Sequence, residues 1–199
     1  MKIYTIIGGV NGVGKSSFTG VLKGRQSDLG TIIDVDKITA ELGGDEIAGA
    51  KAAIAKIKEC LQYHVSFTQE TTLSGYKTEK TAKQAKEQGY RVRLFYIGLD
   101  SAAESLARIE NRVKRGGHNI ATADVERRFV QRWEALQKIL PLCDEAEFWD
   151  NDNGFVKVAA YHCGEFSVLV DWPPLWLSEM IQSLENQVPG GNDVREEST

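Results

Sequence analysis

The stretch Gly9-Val10-Asn11-Gly12-Val13-Gly14-Lys15-Ser16 constrains this chain more than any other feature. It satisfies G-x-x-x-x-G-K-[ST], and the chain's composition predicts on the order of 0.01 chance matches to that pattern. It follows the short β-branched run Ile3–Gly8 and opens Gly14–Leu22, a stretch of helical character. Strand, glycine turn and helix in that order make a cradle for phosphate. Glycines let successive backbone N–H groups converge on phosphate oxygens, where side chains would block the approach. The helix N-terminus adds partial positive charge. The expected nucleotide contacts run from Gly9 through Ser17, with Lys15 reaching the β- and γ-phosphates and the Ser16 hydroxyl ligating Mg²⁺.

The rest of the chain alternates strands with helices. Thr31–Val35 reads as a second strand, Ser66–Thr71 as a third and Tyr90–Ile97 as a fourth. Between them, Glu46–Val65 carries an apolar stripe at Ile47, Ala50, Ile54, Ile57 and Leu61, the period of a helix with one buried face. Tyr76–Gln88 reads as a surface helix, and Ser101–Arg115 and Thr122–Leu140 as two more, separated by Gly116-Gly117-His118. Phe148–Asp150, Val156–His162 and Phe166–Val170 read as closing strands, and Pro174–Asn186 as a last helix packed by Trp172, Trp176 and the nearby prolines. This pattern implies βαβ units and a mostly parallel sheet covered on both faces, an α/β three-layer sandwich. One domain is expected over residues 1–187, with a lid at about 108–132 and a loose tail over 188–199.

Composition fits an ordinary globule, with 42% hydrophobic and 26% charged residues. The cysteines Cys60, Cys143 and Cys163 form no CxxC pair and are expected as reduced thiols in a cytoplasmic protein. No apolar run approaches the roughly 18 residues of a membrane span, and the one at the N-terminus is too short for a signal peptide. A net charge of −4 argues against general nucleic-acid binding. Yet residues 108–132 hold seven Lys/Arg against three Asp/Glu, a basic island on an acidic protein that suits a local anion.

What the nucleotide is used for turns on acidic residues at strand ends. The GTPase patterns N-K-x-D and D-x-x-G are absent, and Leu73-Ser74-Gly75 lacks the Gly-Gln that would complete an ABC signature. ATP with a second substrate is therefore expected. Asp36, just past the second strand, is placed to accept the proton of an attacking hydroxyl, with Asp34 as the fallback on the same strand. The competing role for either is to cap the next helix. Glu70, Thr71 and Thr72 stand at the third strand's end, where they either hold substrate hydroxyls or merely shape a polar turn. Arg108, Arg112 and Arg115 share one helix face, and Arg127, Arg128 and Arg132 follow the glycine break, so a mobile arginine lid is expected to steady the transferring phosphate. Two classes of function remain open on these residues. One is a kinase for a small-molecule hydroxyl, of which a polynucleotide end kinase is a variant; the other is a non-catalytic nucleotide-binding regulator.

Ile6–Phe18, Glu70–Gly75, Gly89-Tyr90, Arg112-Val113 before Gly116-Gly117-His118, Glu126-Arg127-Arg128 and Asp150-Asn151 together resemble the zeta-toxin family of P-loop kinases. That family's known toxins phosphorylate UDP-N-acetylglucosamine, and the related chloramphenicol phosphotransferase modifies a drug hydroxyl. The resemblance implies a sheet of order 2-3-1-4-5 and places Lys15 and Ser16 on ATP and Mg²⁺. It further implies Asp36 as base, Glu70 as acceptor contact, and Arg112 as a lid residue with Arg115, Arg127 or Arg128 as the second. An antitoxin partner is also implied, although the helical segment that precedes the first strand in characterised toxins has no counterpart ahead of Ile3.

Overall fold

The structure is a computed structural model that describes residues 1–186, so the tail expected over 188–199 lies outside the described residues. The elements run β1 (Ile3–Gly8), α1 (Lys15–Lys23), β2 (Thr31–Ile33), α2 (Val35–Glu41), α3 (Glu46–Gln62) and β3 (Phe67–Thr71). They continue with α4 (Lys77–Glu87), β4 (Arg91–Ile97), α5 (Ala102–Lys114), α6 (Thr122–Val130) and α7 (Arg132–Ile139). After a 3₁₀ turn at Leu140–Leu142 come β5 (Glu145–Asp150), β6 (Val156–His162), β7 (Glu165–Val168) and α8 (Leu175–Glu185). The sheet has order β2-β3-β1-β4-β5-β6-β7. The expected 2-3-1-4-5 order is present and parallel throughout, and β6 and β7 extend it antiparallel. Those last strands need no crossover helix, because the two-residue turn Cys163-Gly164, at φ 50° and 91°, folds β6 straight back into β7.

The central strand β1 is buried along its whole length. Tyr4 and Ile6 enter one core with Phe67, Val92, Leu94, Phe148 and Trp176; Ile7 enters the other with Phe18, Leu22, Phe95 and Ile97. Val10 and Val13 of the glycine loop belong to this second core, so hydrophobic burial holds the loop against the sheet.

Three expectations change on folding. The buried face of α3 is Gly49, Ala53, Ile57, Cys60 and Leu61, and Ile47 is exposed. Gly49 lies directly against Thr39 of α2, and this close approach sets the helix's rotation. The single helix expected over Thr122–Leu140 breaks at Gln131 into α6 and α7. Trp172 is 92% exposed and does not pack α8, whereas Trp176 is fully buried. Its backbone N–H donates to Asp100 (2.9 Å) and its indole N–H to Asp150 (2.8 Å), fixing the start of α8 over the ends of β4 and β5. Among the described residues no helix is long and apolar enough to cross a membrane.

The Trp176 ring occupies the space that a side chain on Gly98 would need. The ring is fully buried and its indole N–H is held by Asp150, so it has little room to retreat. Gly98→Ala is therefore expected to destabilise the protein by about 1–3 kcal/mol through overpacking, read as a lower urea midpoint at unchanged slope. A midpoint equal to wild type would mean that the ring moves freely.

Candidate functional site

The site forms where β1 ends and α1 begins. The loop's conformation is one that glycine alone adopts without strain: Gly9 and Gly12 take φ 146° and 73°. A Cβ on Gly12 would stand 2.8 Å from the Ser105 carbonyl oxygen, and one on Gly9 would collide with the Ile97 carbonyl. Three neighbours fasten the loop. The Ser105 hydroxyl of α5 donates to the Asn11 carbonyl (2.6 Å), and Arg128 of α6 donates to the Asn11 side chain (3.0 Å). Asn151, just past β5, donates to the Val13 carbonyl (2.9 Å), and Arg108 in turn donates to the Asn151 carbonyl (2.7 Å). No acidic residue lies in the first turn of α1, so the positive end of that helix is left for an external anion.

Lys15 folds back over the loop and donates to the carbonyls of Gly9 and Val10, both at 2.9 Å. Enclosure of its ammonium lowers its pKa to about 8, against the opposing pull of Glu70, Asp36 and Asp34. Ser16 and Ser17 are exposed at the start of α1. The Ser16 hydroxyl lies 2.7 Å from Glu70 and 3.3 Å from Asp34. Glu70, opposite Ile7 of β1 in the sheet register, is buried and also accepts from Thr19 (2.6 Å). Burial pushes its carboxyl above the usual range, and the two hydroxyls partly offset that push.

Asp34 and Asp36 do not share a strand. β2 ends at Ile33, and the Asp34 carboxylate accepts the Lys37 N–H (3.2 Å) as the N-cap of α2. The capping bond starts the helix at Val35, which puts Asp36 in its first turn, exposed and 4.0 Å from Arg112. Asp34 thus both caps α2 and faces Ser16.

Thr71 and Thr72 turn inward on their own loop. Thr71 accepts from the Leu73 N–H (3.0 Å), and Thr72 lies 2.7 Å from the Ser74 hydroxyl. These bonds hold Leu73 at φ 60° with its side chain buried against Gly8, and so join the β3 end to the β1 end.

The arginines sort by position. Arg112 donates to the His118 carbonyl (2.7 Å) beside Asp36, and Arg128 sits on the loop at Asn11. Arg115 has no acidic partner among the described residues and lines a hollow of about 480 Å³ with Gly12, Arg108, Asn111, Arg112 and Gly117. Arg127 pairs with Asp124, three residues earlier on the helix surface. Arg132 is packed on Phe129 and Trp133 and paired with Glu179 (2.7 Å), away from the loop.

Lys15, Ser16, Asp34, Asp36, Glu70 and Arg112 are thus gathered at one end of the sheet. Sequence reasoning missed Ser105 and Thr19, which bear no motif. It also missed the structural task of Asn151, which entered only as part of the Asp150-Asn151 motif. Among the described residues no group of three or more His, Cys, Asp and Glu side chains forms a metal cluster.

No family model matches the chain. An uncharacterized protein of Haemophilus influenzae (strain Rd) is 36% identical over 126 residues, spanning 61% of this chain and 88% of that protein. The chain belongs to the family of that protein. Among solved structures, a chain of the PezAT chromosomal toxin–antitoxin system of Streptococcus pneumoniae superposes with TM-score 0.60 at 18% identity, over 94% of this chain and 85% of its own length. An AvrRxo1-ORF1:-ORF2 structure with ATP superposes with TM-score 0.66 at 17% identity, over 97% and 66%. A chain of the Pnkp1/Rnl/Hen1 RNA repair complex gives 0.56 at 18%, over 69% and 46%. At these identities the likeness is one of fold, shared over nearly the whole of this chain with the first two.

The lowered Lys15 pKa makes folding depend on pH. Between about 8 and the ordinary 10.5 the unfolded chain binds the lysine's proton and the folded chain does not, so Lys15 makes stability rise with pH in that window. Lys15→Met is expected to flatten that rise in nucleotide-free protein, measured by urea unfolding at several pH values. An unaltered slope would mean that the amine is as well solvated as in a peptide.

Proposed function

We propose that this protein is an ATP-dependent phosphotransferase that moves the γ-phosphoryl group to a hydroxyl of a small molecule, a nucleotide-sugar being the favoured acceptor class. The observation that carries the reading is the placing of Asp36 and Arg112 beside a loop that offers backbone N–H groups, Lys15 and the free end of α1. A regulator that only binds nucleotide has no use for an exposed carboxylate there.

ATP supplies the phosphoryl group, and Mg²⁺ supplies positive charge that offsets the phosphate oxygens. The residues present fit both. Ser16, flanked by Glu70 and Asp34, is a set of hard oxygen donors of the kind Mg²⁺ takes. Gly9, Val10, Asn11, Gly12, Val13, Gly14 and Ser17 offer main-chain N–H groups to phosphates, and Lys15 exchanges its bonds to loop carbonyls for bonds to phosphate. Asp36 orients the acceptor hydroxyl and takes its proton. Arg112 supplies charge that counts most as transfer proceeds, with Arg115 and Arg128 as further cations of the lid. Glu70 serves through Ser16, and Thr71 and Thr72 shape the wall on the acceptor side. An antitoxin-type protein partner belongs to the same reading, since one fold neighbour comes from a toxin–antitoxin system.

The decisive experiment is incubation with labelled ATP and a cell-metabolite pool, followed by mass spectrometry of phosphorylated species. Lys15→Ala is expected to abolish ATP turnover with unchanged circular dichroism. Full turnover in that variant would sink the loop assignment. Asp36→Asn is expected to lose on the order of 100-fold or more in kcat at nearly unchanged nucleotide Kd. The same result from Asp34→Asn and not from Asp36→Asn would transfer the base to Asp34.

Arg112→Ala is expected to slow transfer more than Arg112→Lys, which keeps the charge and loses the planar fork. Wild-type kcat in both variants would make the arginine face merely solvated. A second reading, a polynucleotide end kinase, is favoured by the arginine-lined hollow beside Gly12 and by the RNA-repair neighbour. Transfer to oligonucleotide ends and not to metabolites would select it.

A further inference from the structure

Gly116 and Gly117 read in sequence as one flexible break, but in the structure they have separate tasks. The helix before them is fastened at the site, because Ser105 donates to the Asn11 carbonyl and Arg108 to the Asn151 carbonyl. Arg112 stands about one turn beyond Arg108, so its backbone is held and its side chain remains to be aimed. α5 then closes in a turn of two main-chain bonds. The Gly116 N–H donates to the Val113 carbonyl (2.9 Å) and the Gly117 N–H to the Arg112 carbonyl (3.0 Å).

Gly116 supplies the left-handed residue that this turn requires, at φ 85°. A Cβ there would meet no neighbouring atom within 4 Å. Gly117 is the converse case. Its φ lies outside the left-handed region, yet a Cβ there would stand 2.5 Å from Arg112 Cγ and 3.0 Å from the Arg112 carbonyl oxygen. The Arg112 stem runs through the space that a side chain at 117 would fill. Beyond it, the guanidinium donates to the His118 carbonyl (2.7 Å) and stands 4.0 Å from Asp36.

We infer that Gly117 is a positioning residue for Arg112. The bare backbone at 117 lets the arginine lie across the end of its own helix, and this sets the guanidinium beside Asp36. The effect on rate rests on the phosphotransferase reading, whereas the placing rests on geometry alone. A methyl group at 117 displaces Cγ, and rotation about Cα–Cβ is the motion that carries Cγ clear. The neighbouring staggered setting is about 120° away, so the far guanidinium leaves both the His118 carbonyl and Asp36. Charge is kept in full and only its place changes. A misplacement of about 1 Å can cost on the order of 100-fold in a reaction that depends on positioned groups.

Alanine at each glycine separates the two tasks in the full chain, with ATP consumption measured against the cell-metabolite pool. Gly117→Ala is expected to lose on the order of 10-fold or more in kcat at nearly unchanged KM for ATP. Gly116→Ala is expected to keep wild-type kcat and to lower the urea midpoint, since its methyl group meets only backbone strain. Added to Arg112→Ala, which removes Cγ, Gly117→Ala is expected to lower kcat no further. Isotope-labelled arginine gives a readout free of catalysis. The Nε–H of Arg112 is buried, and its resonance is identified by its loss in Arg112→Ala. That resonance is expected to shift in Gly117→Ala and to stay in place in Gly116→Ala. An unshifted resonance or wild-type kcat in Gly117→Ala, an equal loss of kcat in Gly116→Ala, or a further loss in the double variant would each overturn the inference. Wild-type protein that consumes no ATP with the pool would instead sink the phosphotransferase reading, and the arginine resonance would still decide whether Gly117 places Arg112.

Discussion

The passage from β1 into α1 holds glycines in left-handed conformations and leaves main-chain groups unpaired, so the loop depends on anchors supplied from outside it. Val10 and Val13 provide apolar ones, sinking into the core around Phe18 and Phe95. Polar anchors come from α5 through Ser105, from α6 through Arg128 and from the end of β5 through Asn151. Each of these elements thereby inherits a fixed relation to the loop. Arg108 links two of them, since it leaves α5 to hold the Asn151 carbonyl. The loop therefore sets where the arginine helices stand, and they in turn keep it open.

The charges at the loop follow one rule. Lys15 and Glu70 are both drawn toward neutrality by burial, in opposite directions on the pH scale. Neither is settled by a direct ion pair. Lys15 rests on two carbonyls and Glu70 on two hydroxyls. Neutral dipoles hold each group in place and leave its charge uncancelled, so an anion brought to Lys15 and a cation brought to Ser16 gain more than they would from a closed salt bridge. Asp34 shows the same economy, serving α2 as its cap while facing Ser16.

Most of the fold was legible because its signals are local. β-branched runs, glycine punctuation and helical stripes mark β1, β3, β4, α1 and α5 to within a residue or two, and β5 and β7 more loosely. The loop was legible because its chemistry demands glycine and lysine at fixed spacing. What failed was long-range or depended on one contact. Gly49 against Thr39 rotated α3 and left Ile47 in solvent. One capping bond from Asp34 ended β2 early and moved Asp36 onto a helix. Trp172 and Trp176 look alike in sequence, yet only Trp176 meets the gap above Gly98 and the carboxylates of Asp100 and Asp150. The bonds of Thr71 to the Leu73 N–H and of Thr72 to Ser74 were likewise not legible, since they depend on how the turn after β3 closes.

The six arginines of the basic island show why charge patterning alone could not choose among them. Successive residues on a helix point about 100° apart, so Arg127 and Arg128 cannot both face the loop. Which one does is decided several residues later. Arg132 stacks on Phe129 and Trp133, donates to the Phe129 carbonyl and reaches Glu179 of α8. That cluster breaks the expected long helix at Gln131 and pins the end of α6 to α8, whose own start is fixed by Trp176. With α6 so pinned, Arg128 is aimed at Asn11 and Arg127 is left to Asp124. The arginine that never approaches the loop thus determines which of its neighbours does.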